Sequence, residues 1–574
     1  MRIILREYLG MLRESGEFDA LLPDLLREMQ FVPLSAPQQG VRQAGVDLAA
    51  VGNDANGQRS LWLFVLKRGD LGRKDWDTLP QSIHPSLNEI LDVYLRNNVA
   101  PEHQGLPVRI VVATTGDFKQ EIQQNLVGYA DRIKREGLDL ETWNGDRVAE
   151  LMEQYLLTEN ALPGSARSQL RRALALVGEP DYDLQHYYAL LRELLDWAAA
   201  NPDGVAKQVR ARVRSLATVH LALGILCRWA SADGNLRNAL LAAERTVLWS
   251  WDAVRKAGSA DDKDVFDAYV RLVHTYLEVS IEYFNKVQGH LYVKNAIARY
   301  HRESPLLTER VFEEIGTVGS IGLSHFLFGV VTQDKHLLEG ANAVAESLNA
   351  LVESHPISGS PCYDNQCIDI SLALLLLCFT GRREIAKTWL NQLASRLIYA
   401  YRIGKWFPIA TDSFDDLVAF EIERNEVDLQ KLKEMSWMIP TVAQWCAVLG
   451  ADEAYAGVAA LKSEVMKDTC FQLWYPDAQT DNMRYDRPAF LESGMSDAPL
   501  NLPATAEEMR DQIRRTRSDS PVKEQAVTSA AKAGLPFVDF VASRHFRIPV
   551  DPAYWQRILT EATPDNSSPL VPAP

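Results

Sequence analysis

Cysteine is scarce in this sequence. The 574 residues hold six, Cys227, Cys362, Cys367, Cys378, Cys446 and Cys470, with no C-x-x-C pair. That scarcity excludes a disulfide-stapled secreted module and reads as reduced thiols in a cytoplasmic protein. Cys362 and Cys367 come nearest to a ligand pair, but no second pair stands at zinc-site spacing, so both read as structural. No charge-free apolar run reaches the ~20 residues of a bilayer span. The longest runs, ending at Val331 and Phe379, read as buried core helices, and the opening MRIILREYLGMLRES lacks the uninterrupted apolar stretch of a secretory signal. Membrane attachment is therefore not expected. G-x(4)-G-K-S/T, G-x-G-x-x-G and G-x-S-x-G are absent, which removes the commonest nucleotide-binding loops and the commonest serine-hydrolase elbow. An excess of positive charge is missing too: 60 Lys and Arg face 76 Asp and Glu, a net charge of −16. Any surface for nucleic acid must then be a local exception.

What is present suits a folded chain of two to four domains, since hydrophobic residues make up 47% and charged residues 24%. Two grammars divide it. Up to about residue 157, strand-like and helix-like segments alternate. Glu17–Met29 is helical, Phe31–Leu34 is a short strand, and Val46–Val51 with Leu61–Leu66 make a hairpin around the turn NDANGQ. Ser86–Arg96 is an amphipathic helix, Val108–Thr114 a buried strand, Phe118–Glu136 a helix, Leu138–Trp143 a strand and Asp146–Leu157 a helix. This order predicts an α/β domain, residues 1–160, with helices on both faces of one mixed sheet. Thr158–Ala166 (TENALPGSA) reads as a linker.

Residues 168–500 read as an all-α array of antiparallel helix hairpins, solenoid-like though without a clean 34-residue period. Its predicted helices include Asp369–Ala400 and Leu429–Leu449. Residues 501–574 read as a helical C-terminal segment in which Arg514–Ser520 (RRTRSDS) is a loop and TPDNSSPLVPAP a disordered tail.

The chemistry concentrates in the hairpin. Asp47 in GVDL opens one strand, and Lys67 in VLKRGD ends its partner. Side chains on adjacent strands lie about 5 Å apart, so the two can converge at one end of the sheet. A carboxylate holding a divalent metal and a lysine positioning the activated water suit phosphodiester hydrolysis. Lys67, Arg68, Arg73 and Lys74 fall within eight residues, a basic cluster able to meet a phosphate backbone in a region with 17 Lys and Arg against 24 Asp and Glu.

With these residues in this order of elements, residues 14–157 resemble the restriction-endonuclease-like superfamily, the PD-(D/E)XK nucleases, and within it the Mrr-type branch. The resemblance implies a site made of an acid on the first helix, an Asp opening a core strand and a Lys two positions after a Glu or Gln. Carried over, Glu17 is the helical acid, Asp47 the central metal ligand and Lys67 the catalytic lysine. Leu66 offers a backbone carbonyl to the metal, Mg²⁺ or Mn²⁺. The sequence departs from the pattern at Val65, where the family has Glu or Gln, and Asp70 is the nearest substitute. Fusion to a helical array resembles bacterial anti-phage defence proteins, with the helices as sensor or scaffold.

The expectation is therefore a metal-dependent endonuclease, on DNA in preference to RNA, with Arg68, Arg73 and Lys74 on the nucleic acid. The helical region is a surface for a protein partner or for self-assembly. The alternative is a non-catalytic scaffold on a degenerate nuclease fold that binds nucleic acid or protein. A third reading uses Arg214 and His220 in RSLATVH, an R-x(5)-H pattern resembling helical HEPN ribonucleases.

Overall fold

The computed structural model describes residues 1–12, 17–34, 44–54, 57–78, 82–135, 137–156, 164–197, 204–297, 305–404, 408–422, 431–488, 492–519 and 528–560. The chain divides into two compact units, Met1–Ala242 and Ala243–Pro574.

The first unit opens with helices α1 (Arg2–Met11) and α2 (Asp19–Glu28), strand β1 (Val32–Pro33), and the hairpin β2 (Leu48–Asn53) and β3 (Arg59–Lys67). Helices α3 (Arg73–Asp77) and α4 (Ile83–Glu89) follow, the latter continuing through a π-turn at Ile90–Tyr94 into α5 (Leu95–Asn97). Then come β4 (Val108–Thr114), α6 (Gln120–Ile133), β5 (Leu138–Trp143) and α7 (Gly145–Tyr155). Helices α8 (Gly164–Leu176), α9 (Gln185–Leu195) and α10 (Val205–Ala232) complete the unit. Its compactness therefore extends past the linker read at Thr158–Ala166, of which residues 158–163 lie outside the described residues.

The five strands form one mixed sheet in the order β1-β2-β3-β4-β5. Register sets Leu48 opposite Phe64 across the antiparallel hairpin, and Val65 beside Val112 in the parallel β3–β4 pair. The continuous apolar run in β3 has its reason here: a central strand is covered on both faces. On one face Ala49, Val51, Leu63, Val65, Ile110 and Val112 pack with Trp76, Ile83, Leu87, Ile122 and Leu126 from α3, α4 and α6. The alternate residues Trp62 and Phe64 meet Phe31 and Trp143 on the other face, where α2 lies on β1 and β2, and α7 on β4 and β5. The α/β layering expected from alternation is present.

The second unit is mainly helical. Helix α11 (Leu236–Lys256) carries the division, and α12 (Lys263–Leu291), α13 (Pro305–Thr332), α14 (Lys335–Ser354), α15 (Cys367–Phe379) and α16 (Arg383–Ile403) follow. Next are α17 (Phe414–Ile422), α18 (Met438–Leu449), α19 (Asp452–Glu464), α20 (Ala506–Asp519) and three shorter helices, Ser529–Lys532, Phe537–Phe546 and Ala553–Thr560.

Several expectations are corrected here. The single helix expected over Asp369–Ala400 is two, broken at Gly381, whose φ of +77° is a left-handed turn that glycine adopts at least cost. The helix expected from Leu429 begins only at Met438. Arg514–Asp519 continues α20 instead of forming a loop. Two small sheets interrupt the expected all-α region, Met435–Ser436 with Cys470–Phe471 and Leu473–Tyr475 with Met495–Asp497. Nor is the array a simple solenoid: Phe537–Phe546 packs back on α13 and α15 far upstream, whereas solenoid repeats touch only their neighbours. The tail from residue 561 lies outside the described residues.

Close packing of α13 on α15 depends on glycine. A Cβ at Gly316, Gly319 or Gly322 would lie 2.0, 3.1 or 2.3 Å from Asp369, Ala373 or Leu376. Helices α10 and α13 are long and apolar enough to cross a membrane, yet 67% and 83% of their apolar windows are buried within the fold.

Candidate functional site

The antiparallel start of β2 and the parallel end of β3 bring Asp47 and Lys67 to the same end of the sheet. The Asp47 N–H donates to Phe64 O at 2.9 Å, so pairing begins at Asp47 itself. Its carboxylate then reaches across the hairpin and accepts the Leu66 N–H at 2.7 Å. One carboxylate oxygen is thereby fixed by the backbone of β3, next to Lys67.

Three effects act on this acid. Burial, the largest, pushes the Asp47 carboxyl above its ordinary range; the Leu66 N–H and the Lys67 cation pull it down, and the Asp19 carboxylate pushes it up again. The net shift is upward. Asp19 opens α2, and its Oδ1 is buried with no hydrogen-bond partner. Asp47 is thus raised chiefly by burial, with the Asp19 carboxylate adding the smallest of the four effects, and a raised, enclosed acid of this kind is common at sites that take a cation.

Glu17, the acid assigned to the helix by resemblance, is engaged elsewhere. Its carboxylate accepts from Arg214 at 2.5 Å, while the same guanidinium donates to Met11 O at 2.8 Å. Burial, with Glu17 nearby, pushes the Tyr8 phenol up to about 12. Of the two acids, Asp19 is the one whose charge acts on Asp47, while Glu17 is held by Arg214. The signal for Asp19 was its spacing: it stands three and seven positions before Leu22 and Leu26, both fully buried, on the stripe that enters the core.

Val65 is fully buried inside the apolar cluster under α3, α4 and α6 and contributes no polar atom. Leu66 is buried as well. Asp70, the suggested substitute acid, is exposed and accepts the Asp117 N–H at 3.0 Å, closing a loop instead of facing Asp47. That loop is tightly built: Thr114 Oγ1 donates to Gly69 O at 2.6 Å, and Gly69 N–H donates to Thr115 Oγ1 at 2.9 Å. A Cβ at Gly116 would lie 2.1 Å from Gly69 C, so only glycine fits. The end of β3, with Lys67, is thereby fixed to the end of β4.

Arg68, Arg73 and Lys74 are exposed, and no ion pair involving them occurs among the described residues. Arg214 is committed to Glu17, and His220 is buried in α10, which leaves the R-x(5)-H pair without an open site.

Among the described residues, no group of three or more His, Cys, Asp or Glu is arranged to hold a metal. Two carboxylates suit one hard cation of the Mg²⁺ type, which keeps several waters and takes one or two protein carboxylates. The orphaned Asp19 Oδ1 is the observation that fits such an ion. No protein-family model, curated protein or solved structure matches the chain.

Proposed function

We propose that the first unit is a metal-dependent nuclease with Asp47, Asp19 and Lys67 at its centre. The observation that carries this reading is Asp19: a carboxylate with a buried, unpartnered oxygen close enough to Asp47 to disfavour its ionisation. Asp19 takes the place that resemblance gave to Glu17. Asp47 and Asp19 are the side chains that would hold Mg²⁺ or Mn²⁺, with the Leu66 carbonyl as a backbone ligand. A divalent ion bound there supplies an acidified water and neutralises developing charge on phosphate.

The chain's own residues do the rest. The Leu66 N–H holds one Asp47 oxygen and leaves the other for the ion. Lys67 Nζ donates to the water or to the phosphate oxygen and so orients attack. Arg68, Arg73 and Lys74 hold the backbone of the nucleic acid, DNA in preference to RNA. The protein then acts in the cytoplasm, and the second unit serves as sensor or scaffold, as in anti-phage defence.

Val65 favours a second reading. Its burial in an apolar cluster suits a scaffold that kept the fold and lost a ligand. Cleavage of plasmid, linear and single-stranded DNA and of RNA with Mg²⁺ or Mn²⁺ separates the two. The nuclease requires cutting that disappears in Asp47→Asn and Asp19→Asn and persists in Glu17→Gln. Absence of cutting on every substrate with both metals, beside intact nucleic-acid binding, selects the scaffold.

A further inference from the structure

A chain of hydrogen bonds outside the acidic centre runs in one direction through α6 and α4. Arg132 lies over the Tyr129 ring, 4.6 Å from its centroid. The Tyr129 O–H donates to Asn88 Oδ1 at 2.9 Å. With its carbonyl oxygen so engaged, Asn88 presents Nδ2 to His84 Nε2 at 3.3 Å. An amide nitrogen can only donate, so Nε2 accepts, and the proton of the neutral imidazole belongs on Nδ1. Burial pushes the Tyr129 phenol upward, which keeps the first donor of the chain protonated.

His84 Nδ1 has no hydrogen-bond partner among the described residues and is not a buried orphan, so this donor reaches solvent. The imidazole stacks on Trp76 with centroids 5.2 Å apart and 14° between planes, and Trp76 shares α3 with the exposed Arg73 and Lys74. Tyr129 closes the cluster edge-on to both rings, at 6.0 and 5.5 Å. Helix α4 also abuts the start of β2: a Cβ at Gly45 would lie 2.2 Å from Ser86 O, two residues before Asp47. Trp76 and Tyr129 are buried, so no aromatic face is left to stack a base. What the cluster offers is an aimed N–H beside a helix that carries the exposed Arg73 and Lys74 as well as Asp75 and Asp77, a donor of the kind that suits a phosphate oxygen.

We infer that His84, through Nδ1–H, contacts a phosphodiester oxygen of nucleic acid held by Arg73 and Lys74, with Asn88 and Tyr129 as positioning residues that set its tautomer. The inference rests on the nuclease reading but is tested without cleavage. Binding of the full-length chain to short duplex DNA and to duplex RNA of the same sequence is measured by fluorescence anisotropy in EDTA. His84→Phe keeps the stack on Trp76 and removes the donor, and its affinity falls about tenfold. His84→Asn places an amide N–H where Nδ1–H was and restores most of the affinity. Tyr129→Phe breaks the chain at its head and weakens binding by a smaller factor. Nitrogen NMR of the parent finds the imidazole proton on Nδ1. Unchanged affinity in His84→Phe, a proton on Nε2, or no binding of either duplex by the parent overturns the inference. Failure of the nuclease reading has its own signature, cutting that survives Asp47→Asn.

Discussion

The two units treat buried charge in opposite ways. Among the described residues, the first unit encloses only single charged groups, such as Asp47 and the 5%-exposed Asp54 side chain, whereas the second buries Glu244, Glu314, Asp364, Asp369, Arg484, Asp539 and Arg544, among others. In the second unit most of these have close partners. Arg544 and the His545 Nδ1–H both donate to Glu244, and Arg245 donates to His545 Nε2 at 2.7 Å. Arg547 grips Asp369 with two bonds of 2.7 Å. Such networks specify one packing of many similar helices. The first unit pairs Arg109 with Asp54 and Asp139, and Arg6 with Asp117 and Asp146, in partly exposed positions, but leaves Asp19 Oδ1 buried without a hydrogen-bond partner and the Asp47 carboxyl raised by burial. A cost to stability that no packing role explains is what a functional site looks like.

The comparison breaks most visibly at Arg544. Glu244 is held below the usual carboxylate range by Arg544 and His545 against its burial, so Arg544→Leu leaves a buried anion short of its main cation. A loss of about 3–5 kcal/mol is expected, read as a fall of the second unit's transition in denaturant melts. Next is Asp364, buried at the start of α18, where it accepts the Trp437 and Met438 N–H groups. Burial pushes its carboxyl up to about 7. The folded state then holds a proton that the unfolded chain releases near pH 4. The resulting stabilisation is fully present below that pH and lost as pH rises through about 7, by at most ~4 kcal/mol. Stability of the parent relative to Asp364→Asn, measured from pH 4 to 8, should show this slope.

Smaller effects sharpen the contrast in the first unit. Asp47→Asn keeps an acceptor for the Leu66 N–H and removes the repulsion with Asp19. Because the Asp47 carboxyl is raised, its ionised form costs stability above the ordinary carboxylate range, so the variant should gain about 0.5–2 kcal/mol at neutral pH. That gain should vanish in acid, where Asp47 is protonated, and metal-dependent cleavage should fall at least ~100-fold. Glu17→Gln should lose under ~1 kcal/mol, since its ion pair with Arg214 is partly exposed, and cut like the parent. Arg73→Ala with Lys74→Ala should leave unfolding within about 0.5 kcal/mol and lower the salt dependence of nucleic-acid binding by about two contacts.

Much of the first unit was legible because its signals are local. The hairpin, β4, β5 and the helices between them follow from apolar alternation and turn residues, and so does the meeting of Asp47 with Lys67. That Glu17 pairs with Arg214 while Asp19 acts on Asp47 was not legible from the motif, since the two acids stand only two residues apart. It needed the rotation of α2 about its axis, which is set by Phe18, Leu22, Leu25 and Leu26 burying themselves together. In the second unit the helices were legible and their arrangement was not, because a return of Phe537–Phe546 onto α13 leaves no periodic mark.

By itself the sequence determined the two grammars, the mixed sheet, and a local basic cluster in an acidic chain, because each rests on side-chain patterns a few residues long. Only the tertiary structure decided that Asp19 acts on Asp47 while Glu17 pairs with Arg214, that Val65 is sealed in apolar core, and that His84 stacks on Trp76 beside Asn88. Those are contacts between residues distant in the chain, fixed by how helices rotate and pack on the sheet, and no local pattern encodes that rotation.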